Sequence, residues 1–393
     1  MASVFLISAF GSIDSASNSR VANIFFALDN SDVEFITTDF NHRTKEYKIS
    51  ENKKKNEVFI PVPAYKNNIS IFRLFSHIVF AFRLFKFLNT LKNKPDLVYC
   101  TMPTTLAAFF SGRYCKKNKI PFVIDVIDIW PQSLYPLTKL SFLLKFLCYP
   151  WQLVANYTYG LADLLLAESK KYLETAGKHN KKAIKKYYYL GVDKNTTQEL
   201  IKLSSLKPEK PTDEIWICYG GQLGTSYGFE PIIEALKSLN KNQIKYKFWF
   251  VGDGEKRPEI EEKIRENNLN AEVTGFMNYP DFLKYLSCCD IAINIFKENT
   301  KVVHSYKFND YVATGLFVLN SLKGETSEMV ESYEIGFNFD FGANNLTSVL
   351  LEVCRNWKKY QKWKTNCSKL IKEKLDKKMI YSNLTKNMLN LIK

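Results

Sequence analysis

The residues whose types and spacing suit chemistry sit behind glycine turns in the second half of the chain. IWICYGGQLGTSYGFEPIIEAL reads as a strand, a glycine-rich turn and a helix. Gly220, Gly221 and Gly224 let the backbone approach a ligand, and the helix N-terminus that follows offers free N–H groups to a phosphate. A second turn, in FVGDGEKRPEI, carries Gly252, Asp253 and Gly254; a third, in VTGFMNYPDFLKYL, places Gly275 and Phe276 just past a strand. None is the dinucleotide G-x-G-x-x-G or a Walker loop, and any one of them would serve tight strand–helix packing equally well. Ligands of open α/β sheets bind at the carboxyl ends of the strands, however, so three such loops from one sheet converge on one edge. Downstream, HSYKFNDYVATG sets Lys307 and Asp310 three residues apart, on one face of a helix. An ammonium there neutralises a diphosphate, and a carboxylate accepts hydrogen bonds from ribose hydroxyls. The alternative is an ordinary surface ion pair of little energetic consequence.

Strands and helices must hold those loops, and the pattern supplies them along nearly the whole length. SVFLISAF, DVEFITTDF, DLVYCT, PFVIDVID and DLLLAES read as strands in the first half; IWICYGG, YKFWFVGDG, AEVTGF, CDIAINIF and GLFVLNS follow in the second. Helical stretches separate them, which implies parallel sheets covered on both faces. The polar segment KLSSLKPEKPTDE, with Pro208 and Pro211, reads as a linker. The expected architecture is therefore α/β, with two Rossmann-like doubly wound domains facing across a cleft. Their bounds are placed at 1–205 and 206–370. Residues 371–393 form a lysine-rich helix that either ends the second domain or crosses back to the first.

At 393 residues the chain is too long for one core. Its net charge of +15 is uneven: residues 1–205 hold 28 Lys and Arg against 16 Asp and Glu, and residues 206–393 hold 27 against 24. A basic first half faces something anionic: phospholipid headgroups, a pyrophosphate-linked substrate or nucleic acid. No basic–aromatic module accompanies the charge, so nucleic acid is not an expected partner. The eight cysteines lack C-x-x-C spacing, which fits a reducing cytosol and argues against a zinc site. MASVFLISAF has no basic leader and reads as a first strand, so the expected location is cytoplasmic. Two aromatic stretches, Ile71 to Leu91 and SFLLKFLCYPWQLVANYTY, are interrupted by Arg73, His77, Arg83, Lys86, Lys145 and Pro150. They are poor transmembrane spans. Either they pack on a sheet or they lie partly inserted in a membrane interface.

Longer motifs narrow the reading. Ser305-Tyr306-Lys307-Phe308-Asn309-Asp310-Tyr311-Val312-Ala313-Thr314-Gly315 matches a P-S-K-L-x-E-Y-L-A-x-G segment at lysine, acidic residue, tyrosine, alanine and glycine. YGGQLGTSYG matches Y-x-G-x-L-G-x-x-x-G, and VGDGEKRPEIEE and TGFMNYPDFLKYLSCCDIAINIF match the strand–helix segments that follow it. In the first half, Asp128-Ile129-Trp130-Pro131-Gln132-Ser133 is similar to D-L-W-P-x-S. On these segments the chain resembles a family 4 retaining glycosyltransferase of the GT-B fold, of the bacterial capsule, O-antigen and exopolysaccharide type.

The resemblance implies transfer of a sugar from a nucleotide-sugar donor, with UDP the expected base. The implied acceptor is an undecaprenyl-diphosphate-linked oligosaccharide, met by a protein peripheral on the inner face of the cytoplasmic membrane. No cofactor or metal is expected. Donor-binding residues implied are Gly11, Ser12, Gly221, Gln222, Gly252, Asp253, Gly275, Phe276, Asp310, Ser327 and Glu328. Lys307 is the expected catalytic cation for the departing diphosphate. Asp128 either orients or deprotonates the acceptor hydroxyl, or caps a turn before Pro131. Three departures stand out. Gln222 occupies the family's arginine position, Thr225 to Tyr227 fill its lysine region, and Val302 stands eight residues before Asp310 in place of the first glutamate of the paired-glutamate signature. The missing positive charge is expected from Lys307, Lys301 or Arg20. Two rival readings remain: a non-catalytic membrane adaptor of the same fold, and a nucleotide-sugar epimerase.

Overall fold

Short, apolar, β-branched segments flanked by helices have one stable arrangement, a parallel sheet buried on both faces, and the chain forms two. The computed structural model describes residues 1–13, 19–29, 31–42, 44–48, 56–67, 70–137, 141–225, 227–298, 300–360 and 362–392. The chain divides into one unit of Met1–Tyr189 with Lys378–Lys393 and another of Leu190–Lys377.

The first unit holds β1 (Ser3–Ile7), β2 (Asp32–Thr38), β3 (Glu57–Ile60), β4 (Leu97–Met102), β5 (Phe122–Val126), β6 (Leu164–Ala167) and β7 (Ile184–Tyr187). Their spatial order is β3-β2-β1-β4-β5-β6-β7, every pair parallel. Every residue of β4 is buried, including Thr101, which donates to Ser8 Oγ at 2.9 Å. The helix Lys377–Leu389 sets Ile380, Leu384 and Met388 at four-residue spacing into the same core as Val4, Leu6, Phe35 and Tyr99. The terminal segment therefore folds with the first unit from Lys378 onward.

The second unit holds β8 (Ile215–Gly220), β9 (Tyr246–Val251), β10 (Ala271–Val273), β11 (Ile291–Asn294), β12 (Phe317–Asn320) and β13 (Gly336–Asn338), in the order β10-β9-β8-β11-β12-β13 and again all parallel. Both sheets are doubly wound, with switch points between β1 and β4 and between β8 and β11. The division at Tyr189/Leu190 precedes the expected 205/206 boundary, because the helix Lys194–Leu203 is tied into the second unit. Lys194 donates to Ser368 at 2.8 Å, and Ser204, just past the helix, donates to Asp281 at 2.6 Å. On these bounds the charge separates completely. The first unit carries 29 Lys and Arg against 14 Asp and Glu, a net +15; the second carries 26 against 26. No helix among the described residues is long and apolar enough to cross a membrane.

Candidate functional site

The loops after β8, β9, β10, β11 and β12 all open on the carboxyl edge of the second sheet. At its switch point, the β8 loop carries the first glycine turn, and the segment after β11 leads into the helix Tyr306–Thr314. Ser305 caps that helix by accepting from the Phe308 N–H, and Gly315 ends it in the left-handed conformation. Lys307, in its first turn, is buried. Its Nζ donates to the Tyr219 hydroxyl at 3.0 Å, and that hydroxyl donates to the Gln222 carbonyl at 2.8 Å. The same Nζ lies 3.6 Å from the Tyr227 ring centre, 4.3 Å from Phe296 and 4.5 Å from Tyr219. The ammonium thus sits in a cage of three aromatic faces, and among the described residues no carboxylate forms an ion pair with it. Burial drives its pKa well below the usual lysine value.

One turn on, Asp310 is half-buried and accepts from the Tyr279 hydroxyl at 2.7 Å. Loss of hydration pushes its pKa up to about 7, against the pull of that hydrogen bond. Tyr311 braces the turn itself: Gly220 N donates to its hydroxyl at 2.9 Å, and the hydroxyl donates back to Gly220 O at 3.2 Å. One short helix therefore places a cation and a brace on the glycine loop and a carboxylate against Tyr279.

The loop needs its glycines. At Gly252, with φ +152°, a Cβ would stand 2.0 Å from the Gly221 carbonyl oxygen, and at Gly221, with φ +123°, it would press on the Lys307 stem at 3.0 Å. Glu255 accepts from Thr225 N at 2.8 Å and Lys297 donates to Thr225 O at 2.5 Å, which holds the loop from both sides. Asp253 is turned back on Gly254 N and Arg257, and Phe276 stands 86% exposed at the edge. Gln222 takes part through its carbonyl. After β12, the Ser327 hydroxyl donates to Gly324 O and Glu328 lies exposed in the first turn of the helix Glu325–Ser332, where Glu325 is the buried acid.

An amide ladder went unnoticed in the sequence. Asn294, Asn320 and Asn338 end β11, β12 and β13 in register. Asn294 donates to Asn320 and Asn320 to Asn338, each at 2.8 Å, and Asn338 donates to Ser327 O and Glu331. It fixes three strand ends to the helix Glu325–Ser332.

In the first unit the carboxyl edge carries a different chemistry. Asp128 follows β5, and its carboxylate accepts from Ile129 N at 2.8 Å, from the Trp130 indole at 2.6 Å and from Ser133 Oγ. These are the bonds of a turn cap, the second of the roles the sequence leaves open, and burial raises the Asp128 pKa. Arg73 lies 4.5 Å over Trp130 and 5.1 Å over Phe10, next to Gly11. His77 packs against both rings, is 9% exposed, and has no partner for Nε2 among the described residues. Burial first, then Arg73 and His42, bring its pKa down to about 3. Gly11 takes φ +101°, and Ser12 O accepts from Ser19 Oγ at 3.4 Å; the loop residues 14–18 lie outside the described residues. Arg20 is not a spare cation. It is buried and bonded to both Asp125 oxygens, to Tyr188 O and to Ala167 O. Lys301 is exposed.

Two all-parallel, doubly wound sheets define the GT-B fold. Residues 202–370, most of the second unit, match the family described as Glycosyl transferases group 1, and the chain is a glycosyltransferase. No curated protein matches it. Among solved structures, Anabaena HepE in complex with UDP is similar with a TM-score of 0.69 at 15% identity, over 99% of this chain and 100% of that one. WaaG, a glycosyltransferase involved in lipopolysaccharide biosynthesis, gives 0.64 at 14% identity over 99% of each chain. The UDP-GlcNAc 2-epimerase from Neisseria meningitidis bound to UDP-GlcNAc gives 0.62 at 13%, over 99% of this chain and 98% of that one.

Proposed function

We propose that the chain is a family 4 retaining glycosyltransferase that moves a sugar from a UDP-linked donor to a lipid-linked oligosaccharide in surface polysaccharide biosynthesis. The observation that carries this reading is the helix bearing Lys307 and Asp310, set against the glycine loop at the switch point of the second sheet. The anion most in need of stabilisation in such a transfer is the departing diphosphate. Lys307 supplies a charge desolvated in advance, and such preorganised charge acts more strongly than one in water. Backbone N–H groups in the first turn of the helix Glu325–Ser332, with Ser327 and Glu328 beside them, complete the donor side, and the side-chain-free backbone at Gly221 and Gly252 leaves room for the ligand; their own N–H groups are bonded to Val251 O and Thr274 Oγ1. Asp310 accepts from the ribose hydroxyls, and Phe276, Gly275 and Asp253 flank the base. Departure is proposed to need no metal, Lys307 and the helix N-termini doing that work. Support for UDP comes from neighbours of the same fold solved with UDP and UDP-glucose.

Asp128 belongs to the acceptor side, where it holds the turn that presents Trp130 beside Arg73 and His77, close to Gly11 and Ser12. The acceptor is proposed to be undecaprenyl-diphosphate-linked and the protein peripheral on the cytoplasmic membrane face. That part rests on the +15 first unit and its exposed apolar residues, Phe72, Phe142 and Phe146 among them. A nucleotide-sugar panel read by mass spectrometry, with and without a prenyl-diphosphate saccharide, tests the whole reading. Transfer with retention of the anomeric configuration is expected. Release of an isomerised free sugar without acceptor would establish an epimerase, and no stabilisation by any nucleotide would establish an adaptor.

A further inference from the structure

Transfer to a hydroxyl leaves one proton to be placed. The carboxyl edge of the first sheet brings together three acids able to receive it: Asp125 near the end of β5, Asp128 just beyond that strand, and Glu168 directly after β6. β5 and β6 are paired neighbours, with Val126 opposite Ala167, and the Glu168 N–H extends the ladder to Val126 O at 3.4 Å. Two of the three acids are already committed. Asp125 is fully buried, where Arg20 bonds both its oxygens and the Tyr99 hydroxyl donates to one of them at 2.6 Å. Asp128 accepts from three donors of its own turn. Glu168 is half-buried, and its carboxyl takes part in no hydrogen bond or ion pair among the described residues. Nor does it cap the helix that follows, because Ser169 does so by accepting from the Tyr172 N–H at 3.1 Å.

The charged and titratable groups around Glu168 come from three elements and one turn. They are Arg20 on the helix Arg20–Ala27, Asp125 on β5, Asp128 in the turn after it, and Tyr381 on the helix Lys377–Leu389. Burial raises the Glu168 pKa to about 8, with Arg20 pulling it down and Asp125 and Asp128 adding to the rise. A carboxyl with open lone pairs and a pKa close to that of the medium suits general-base work. We propose that Glu168 takes the proton of the acceptor hydroxyl during transfer. This rests on the transfer reading above and assigns the base that Asp128, as a turn cap, does not supply. As the acceptor oxygen bonds to the anomeric carbon, the bond from that carbon to the diphosphate oxygen breaks and its electron pair leaves with the diphosphate. The hydroxyl proton passes to the Glu168 carboxylate, which becomes the neutral acid and returns the proton to water once product leaves.

The test follows kcat against pH for the donor and acceptor that the nucleotide-sugar panel identifies, with donor saturating so that the Asp310 titration does not enter. Wild-type kcat should rise with pH to a plateau above about 8, since only the ionised carboxyl accepts a proton. Glu168→Gln should lower kcat about 10²–10⁴-fold and remove that limb, with donor KM within about threefold of wild type. In Glu168→Ala, added formate should restore part of the rate, which a side chain of purely structural role would not permit. Thermal stabilisation by UDP should be unchanged in both variants and reports an intact fold. An infrared titration should show a carboxylic-acid band lost with a midpoint near 8 that Glu168→Gln removes. A limb retained in Glu168→Gln, kcat within about threefold of wild type, equal rates with and without formate, or a Glu168 midpoint in the ordinary carboxylate range would each overturn the assignment. The first two would hand the proton to the departing diphosphate and leave the transfer reading standing. Wild-type protein that isomerises its donor sugar and transfers to no hydroxyl would sink the transfer reading itself, and the base role with it.

Discussion

Replacing Lys307 by Met separates the two things a buried ammonium does. Methionine keeps an unbranched stem against Gly221 and the three rings, and Tyr219 still donates to Gln222 O. The wild-type ammonium gains about 0.5–2 kcal/mol from the rings and about 1.5–3 kcal/mol from Tyr219. Against this stands a desolvation penalty of several kcal/mol with no carboxylate to offset it. Unliganded Lys307→Met should therefore be as stable as wild type or more so. Donor binding goes the other way: a unit charge about 4 Å from a diphosphate, at an effective dielectric near 20, is worth about 4 kcal/mol. Part of that is lost to water and backbone donors, so UDP affinity should fall by about thirty- to a thousandfold, with uridine affinity nearly unchanged. Titration calorimetry with UDP and uridine, alongside thermal melts, reads both.

The same residue sets a pH signature. Burial holds the folded-state pKa of Lys307 below its unfolded value, so between the two the unfolded chain binds the extra proton. Wild-type stability should fall as pH drops from the ordinary lysine value through that window, while the methionine variant lacks this slope. UDP binding restores the charge and should take up a proton there, visible as a buffer-dependent binding enthalpy. If Lys307→Met binds UDP within about threefold of wild type, the diphosphate does not meet this side chain, and the account of the site is wrong.

Asp310 has its pKa raised to about 7, so it gains charge as pH rises through that value, which costs folded-state stability and improves its acceptance from ribose hydroxyls. UDP-glucose, whose diphosphate does not titrate there, should bind more tightly from pH 6 to 8, and Asp310→Asn should bind it weakly with a flat profile. Leu384→Ala removes a fully buried side chain from the first unit's core and should cost about 2–5 kcal/mol in denaturant unfolding; a loss under 1 kcal/mol would mean the terminal helix is not seated there. Raising salt from 50 to 500 mM should strip the protein from anionic vesicles while changing UDP affinity little, because buried charges are screened far less than exposed ones.

What was legible in the sequence is what local spacing encodes. The glycine turns sit at strand ends because tight strand-to-helix turns need glycine, and Lys307 and Asp310 share a face because of helical period. The cage around Lys307 was not legible: Tyr219, Tyr227 and Phe296 come from a strand end and two loops, and each alone reads as core. Arg20 looked like an available cation, yet Asp125, which neutralises it, is 105 residues away. Strands β3, β7 and β13 escaped notice for a different reason. They are short edge or near-edge segments such as Ile184–Tyr187 and Gly336–Asn338, whose patterns carry little buried alternation. The return of the C-terminal helix had a readable signal in Ile380, Leu384 and Met388, but spacing shows only that a helix has an apolar face, never which core receives it.

On the proposed function, the division of charge gives two sheets of one topology different work. A donor free in solution needs no field to bring it in; it needs one desolvated cation where the diphosphate lands, and a neutral unit with a caged lysine provides that. An acceptor confined to an anionic surface is found by approaching the surface, where each basic residue near the headgroups contributes about 1 kcal/mol over a range of a Debye length. Spreading cations on outer helices serves that approach, and burying them would not. In that reading Lys307 is the opposite device, a charge stripped of water before its ligand arrives.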